Sequence, residues 1–306
     1  MTGQTANALP IHHAADLTGR MKNLIDYRRQ CIGQNGEEDV IARVFDVVGA
    51  GNKFCCEFGA WDGIFLSNTR SLILDGWSAL LIEGDAERFR ELQANYADNP
   101  NVSAECALVG AGENSLARIL ERKGLAKRRL DFLSIDVDGA DFDHFSELDR
   151  LRALPRLVLV EIQPEHGPDR QDRVSDEIAK QNIGQPLGLF VSRARQLGYR
   201  LVCYLGCNAF FLLEEAGGHD ALPTLTPELA WMQCMQLHRT HPTHAEYFYR
   251  RNLGMQDSLY RFENPLLTAD FLGIAPKRAT NLRLKGRIWR IKRRIRSFRR
   301  AMIGSR

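Results

Sequence analysis

The chain has 306 residues, 44% hydrophobic and 26% charged, with a formal net charge of +3 at pH 7. That length can bury one large core with an appendage or two modest cores, and the composition is ordinary for a soluble globular protein. No run approaches the roughly 18 uninterrupted apolar residues of a bilayer span, and MTGQTANALPIHHAADLTGR has no apolar segment between a basic start and a cleavage site, so a cytoplasmic protein is expected.

After this polar leader (residues 1–29), Val40, Ile41, Val44, Phe45 and Val48 recur at three-to-four spacing behind Glu37, Glu38 and Asp39, which predicts a helix. The period then changes. KFCCEFGA reads as a buried strand, FLSNTRSLILDG as a helix ended by Gly76, and WSALLIEGD as a second strand. AERFRELQANYADNP is an amphipathic helix stopped by Asn99 and Pro100, and NVSAECALVG is a third strand. ENSLARILERKG, LDFLSIDVDG, DFDHFSELDRL and PRLVLVEIQP continue as helix, strand, helix and strand. Strands alternating with helices imply parallel pairing covered on both faces.

The polar stretch 165–182 suits a loop or lid over the strand ends. LGLFVSRARQLGYRLVCYLGCNAFFLLEE then gives a helix capped at Gly198 and two strands joined across Gly206 to Asn208, short enough for a hairpin. An antiparallel edge pair is therefore predicted. Residues 216–276 are aromatic-rich, partly helical and without a clear period, and read as an extension packing on the core. There is no internal repeat or low-complexity segment.

Seven cysteines, Cys31, Cys55, Cys56, Cys106, Cys203, Cys207 and Cys234, stand at irregular spacings, four inside apolar runs where cysteine acts as a small hydrophobe. Cys203 and Cys207 form CxxxC, but no second pair follows at zinc spacing.

Ligands of open parallel sheets bind outside the carboxyl ends of the strands. Here those ends read CEFGAWDG, LIEGD, ALVGAGEN, SIDVDG and VEIQPEHG, rich in carboxylates that need a donor or a cation. A glycine-containing turn followed by an acid at the second strand end suggests a nucleoside cofactor. The turn does not fit GxGxxG, and Glu57 would repel a pyrophosphate, whereas a cationic donor such as S-adenosylmethionine suits it. Asp136 and Asp138 are two apart and would share a strand face. Such a pair can take a proton from an attacking hydroxyl, or with Glu161 hold a divalent cation such as magnesium. The loop histidine His166 is an alternative base, and Asp141 reads as a helix N-cap or first-turn acid.

CEFGAWDGIFLSNT, LIEGD, ENSLARIL, FLSIDVDGADFDHF, PRLVLVEIQP and LGYRLVCYLGCNAFFL, in that order over residues 30–215, resemble the FkbM-type family of S-adenosylmethionine-dependent methyltransferases. The upstream IGQNGEEDVIARVF is similar to a segment of a bacterial branch of that family. The resemblance implies a class I methyltransferase (Rossmann-like) α/β three-layer sandwich with a mostly parallel seven-stranded sheet and an antiparallel last strand. It implies O-methylation of a sugar or natural-product hydroxyl. Glu57, Gly59, Ala60 and Asp62 would form the cofactor turn, Glu83 would bind the ribose, and Asp85 and Ser115 would lie near the adenine. Where related sugar methyltransferases carry an Asp-Asp pair for magnesium, this chain has Gln163, Glu165 and His166.

From Lys277 onward there are 13 Lys/Arg and no Asp/Glu, against 28 bases and 38 acids in the preceding residues. In this tail (277–306), Leu284, Ile288, Ile291, Ile295, Phe298 and Met302 form one stripe, the pattern of a basic amphipathic helix. An anionic membrane surface uses both charge and stripe; nucleic acid uses the charge alone, and the acidic body is a third partner. The expected protein is an O-methyltransferase acting on a glycan or glycolipid. An RNA methyltransferase, or a binding module without turnover, are the alternatives; NPPY-type base-methylating chemistry is absent.

Overall fold

The computed structural model describes residues 24, 33, 35–137, 139–162, 168, 170–174 and 184–240. Asp138, His166, most of the 165–182 stretch and the basic tail lie outside them.

The elements alternate as the hydrophobic pattern predicts. In order they are α1 (Glu37–Val48), β1 (Phe54–Phe58), α2 (Arg70–Leu74), β2 (Ser78–Glu83), α3 (Ala86–Asn95), β3 (Val102–Cys106) and α4 (Leu116–Arg122). Then come β4 (Phe132–Ile135), α5 (Asp141–Ser146), β5 (Leu157–Glu161), α6 (Leu187–Gln196), β6 (Tyr199–Leu205), β7 (Asn208–Leu213) and α7 (Pro227–Thr240). The seven strands form one sheet in the order β3-β2-β1-β4-β5-β7-β6. All pairs are parallel except β5 with β7 and β7 with β6. This is the class I methyltransferase arrangement, and the β6–β7 hairpin turns across Gly206 as the sequence predicts.

Burial explains the continuous apolar runs. Every residue of β1, β6 and β7 is buried, the parallel strand β1 in the middle of the sheet and the antiparallel pair under its packed helices. The edge strand β6 is shielded as well: α6 and α7 pack on it, and the amide of Leu225 donates to the carbonyl of Leu201. Leu222, Ala230, Trp231 and Cys234 join the same core. At the other edge β3 is only partly buried, and it stops at Cys106, four residues short of the predicted strand end. Cys55, Cys56, Cys203 and Cys234 are buried, and burial pushes the Cys55 and Cys56 thiols well up, which keeps them protonated.

One expectation is corrected. The helix predicted over FLSNTRSLILDG is a single short one, Arg70–Leu74. Ser67, Asn68 and Thr69 leave the helical path because their polar groups bond to Glu57 instead of to the next turn. At the start of α1, Glu37 and Glu38 are buried. Glu37 accepts from the amide and side chain of Asn35 and from Nδ2 of Asn208, and Glu38 accepts from the amide of Gly33.

Candidate active site

Strand order reverses between β1 and β4, so the crevice for a ligand opens above Gly59 and Asp136. The chain is tight there. A Cβ on Gly59 would lie 2.0 Å from the carbonyl oxygen of Asp136, and Gly59 has φ +65°, so two separate constraints require glycine. Beyond it Ala60 donates to the carbonyl of Ile82 and accepts from the amide of Gly63, which ties the β1 turn to β2.

Asp62 builds this turn from within. Its Oδ1 accepts from the amides of Ile64 and Phe65 at 2.8 and 2.7 Å, and its carbonyl accepts from Nδ2 of Asn95. Tyr96 donates to the carbonyl of Gly63 at 2.6 Å. The loop after β1 is therefore a braced structure.

Glu57, at the end of β1, is 4% exposed and turns inward. Oε1 accepts from the amide of Asn68, and Oε2 accepts from the hydroxyls of Ser67 and Thr69 at 2.7 and 2.6 Å. Asn68 in turn donates to Ser134 on β4. Burial raises the Glu57 pKa above its ordinary value, and these hydrogen bonds oppose the rise. Its contacts are thus to its own loop.

Glu83, at the end of β2, is 8% exposed and faces the turns. Oε2 accepts from the amide of Trp61 and Oε1 from that of Asp85, both at 2.7 Å. Each oxygen has further acceptor capacity beyond the one amide it holds. Beside it, Leu108 is 76% exposed and lies so close to Gly84 that a Cβ there would come within 2.3 Å of its side chain. Leu108 escaped the sequence reading because the third strand was drawn through it; a leucine stranded past an edge strand was the available signal.

Asp85 caps α3, accepting from the amides of Glu87 and Arg88, which lower its pKa. Ser115 caps α4 through the amide of Arg118. Ser115 also lines a cavity of about 290 Å³ between the loop after β3, α4 and the end of α5, with Phe58 and His144 in its wall. The His144 ring meets Phe58 edge-on at 5.7 Å, and burial lowers its pKa, against the pull of Asp143 and Glu147. His144 is not singled out by sequence, where its helical spacing marks nothing but an inner face.

Past β4, carboxylate oxygens of Asp136, Asp141 and Glu161 lie within 4.8 Å of one another. Asp136 and Glu161 belong to the expected acidic set and Asp141 lies with them; Asp138 is outside the described residues. The Asp141 carboxylate folds its own loop, accepting from the amides of Val137 and Gly139 at 2.9 and 2.8 Å. Glu161 stands opposite Asn208 in the sheet, so the Glu37–Asn208 bond brings the loop before α1 to the same rim. The stretch after β5 is anchored where it is described. Arg173 makes a paired contact with Asp143, and Val174 exchanges hydrogen bonds with Gln185.

No protein-family model matches the chain, and no curated protein matches it in sequence. Among solved structures it is similar to WbdD, a bifunctional kinase-methyltransferase, at 15% identity and TM-score 0.38, over 60% of this chain and 41% of WbdD. It is similar to the N-terminal domain of EvdMO1 with SAH bound, at 14% identity and TM-score 0.39, over 59% of this chain and 80% of that one. A TehB-like SAM-dependent methyltransferase from Corynebacterium glutamicum gives 11%, TM-score 0.34, and coverage of 56% and 86%. The match spans less than half of WbdD. These superpositions are shallow, so the chain's own residues must carry its functional reading.

Proposed function

We propose that the protein is an FkbM-type methyltransferase that moves a methyl group from S-adenosylmethionine to a hydroxyl of a sugar, in a glycan or glycolipid. The observation that carries this is Glu83. It is a nearly buried carboxylate at the end of the strand next to the crevice, held by one amide from each of two turns and with lone pairs left to accept from ribose hydroxyls. Leu108 offers an apolar wall beside it for a flat ring, and Ser115 borders the same side. Asp136 at the β4 end, beside Gly59, suits a cationic amino acid portion.

When bound, S-adenosylmethionine supplies an electrophilic methyl on a sulfonium. Asp136 stands at the crevice and would take the proton of the acceptor hydroxyl, whose oxygen would bond to the methyl carbon as the bond from that carbon to the sulfonium sulfur breaks and the neutral thioether leaves. Asp138, and His166 as the alternative base, belong to the same rim by sequence. Glu161 and Asp136 orient the sugar hydroxyls by accepting from them. A magnesium ion on Asp136, Asp138 and Glu161 is the alternative way to orient the acceptor. Residues 30–215 form the methyltransferase domain, and the basic tail holds the protein at the cytoplasmic face of a membrane where lipid-linked glycans are assembled.

Titration calorimetry tests the reading. The full chain binds S-adenosylmethionine, and Glu83→Ala weakens binding at least about tenfold, the loss expected for two buried charge-assisted bonds. No binding by the unmodified chain, or equal binding by the variant, overturns it.

A further inference from the structure

Two walls of the cavity between α4 and α5 start beside Glu83. Phe58, in one wall, pairs in register with Ile82, the residue before Glu83. On the other side the amide of Ala107 donates to the carbonyl of Glu83, and Val109 and Gly110 of the same loop line the cavity. Neighbouring strands lie about 4.8 Å apart, so a base carried by a ribose at Glu83 is within reach of the opening.

Phe58, Val109, Leu116, Leu148 and Leu151 give the cavity apolar sides that suit a flat ring. The charges around it are largely spent on one another. Arg118 pairs with Glu121 at 2.7 Å, Arg150 with Glu147 at 2.8 Å, and Asp143, beside His144 in sequence, with Arg173 at 2.6 Å. Glu113 is left as the lining charge without an ion pair among the described residues. His144 is the other uncommitted group: its ring touches Phe58, and neither ring nitrogen has a hydrogen-bond partner among the described residues. A half-buried imidazole without a partner forgoes hydrogen bonds that water would supply, and such a group calls for an explanation. Burial shifts it toward the neutral imidazole, which keeps one nitrogen as an acceptor. Both uncommitted groups can accept, so the ligand edge that fits them brings N–H groups.

We infer that His144 is the residue that selects adenine: the base of the methyl donor enters the cavity between α4 and α5, and an imidazole nitrogen accepts a hydrogen bond from its 6-amino group. That amino group is the donor on the outer edge of adenine, and a purine without it leaves the imidazole unpaired again. Glu113, exposed on the loop before α4, is a second acceptor for the same edge. The inference rests on the proposed binding of S-adenosylmethionine at Glu83 and adds to it the residue that tells one base from another.

The test is calorimetry on the full chain with adenosine and purine riboside, which differ in the 6-amino group alone, run beside S-adenosylmethionine. The unmodified chain should bind adenosine about fivefold more tightly than purine riboside, a preference read without any variant. His144→Leu should weaken adenosine binding about fivefold and bring the two nucleosides level, while His144→Gln, which keeps an acceptor oxygen, should retain most of the preference. Thermal midpoints show whether each variant folds. A merely structural histidine would shift both nucleosides together or neither, and either result overturns the inference, as does equal binding of the two, or no binding of adenosine, by the unmodified chain. Failure of the proposed function looks different. Glu83→Ala should weaken both nucleosides alike with the preference intact, whereas a His144-dependent preference for adenosine in a chain that ignores S-adenosylmethionine leaves the adenine pocket standing and removes the methyl donor.

Discussion

The ends of β1 and β2 lie side by side, and each carries one nearly buried glutamate. Glu57 and Glu83 differ little in exposure, 4% against 8%, yet their partners divide them. Glu57 accepts three hydrogen bonds, all from residues 67–69, and closes its own loop. Glu83 accepts one amide from each of two separate turns and looks outward between them. Burial alone therefore says little about which strand-end acid serves a ligand. The origin of the donors and the acceptor capacity left over say more.

The largest effect should come from removing the inward acid. Glu57→Ala leaves the hydroxyls of Ser67 and Thr69 and the amide of Asn68 without their acceptor in a buried site, and should cost about 3 kcal/mol in urea unfolding. A cost near zero would erase the distinction drawn between the two glutamates. Gly59→Ala comes next, at about 2–3 kcal/mol, because its Cβ meets the carbonyl of Asp136 and its φ is positive; thermal unfolding reads it directly. Glu83→Gln should sharpen the contrast: its NH2 group faces one of the two amides, so it should cost about 1–2 kcal/mol, less than Glu57→Ala, while S-adenosylmethionine affinity falls about tenfold.

A smaller effect follows from pH. Burial raises the folded-state pKa of Glu57 above the ordinary 4.5, so folding shifts the balance toward the neutral acid. Its contribution is fully present below pH 4.5 and is lost as pH rises through the raised value. Relative to Glu57→Gln, wild type should therefore be more stable at pH 4 than at pH 7, as the difference in thermal midpoints across that range will tell.

Much of the architecture was legible because it rests on local period. Strand and helix alternate where apolar spacing changes from two to three or four, and the turn at Gly206 gave the antiparallel edge. What escaped depends on partners distant in sequence. FLSNT carries a helical spacing, but Glu57, ten or more residues away, competes for its polar groups and wins. Glu37 and Glu38 read from sequence only as the acidic start of a helix, and their burial depends on Asn208 and Gly33 being brought beside them. The acids at the strand ends could be named from sequence; their division into inward and outward could not, since it is decided by which amides the fold delivers.

The bond between Glu37 and Asn208 joins residues 171 positions apart. Its consequence is temporal. During synthesis the start of α1 emerges long before the last hairpin exists, so two carboxylates destined for burial wait in water while the central strands assemble. Closing so long a loop is entropically expensive, and the start of α1 should lock late, when β7 offers Asn208. The segment that leads the chain into the domain is among the last to be fixed in place.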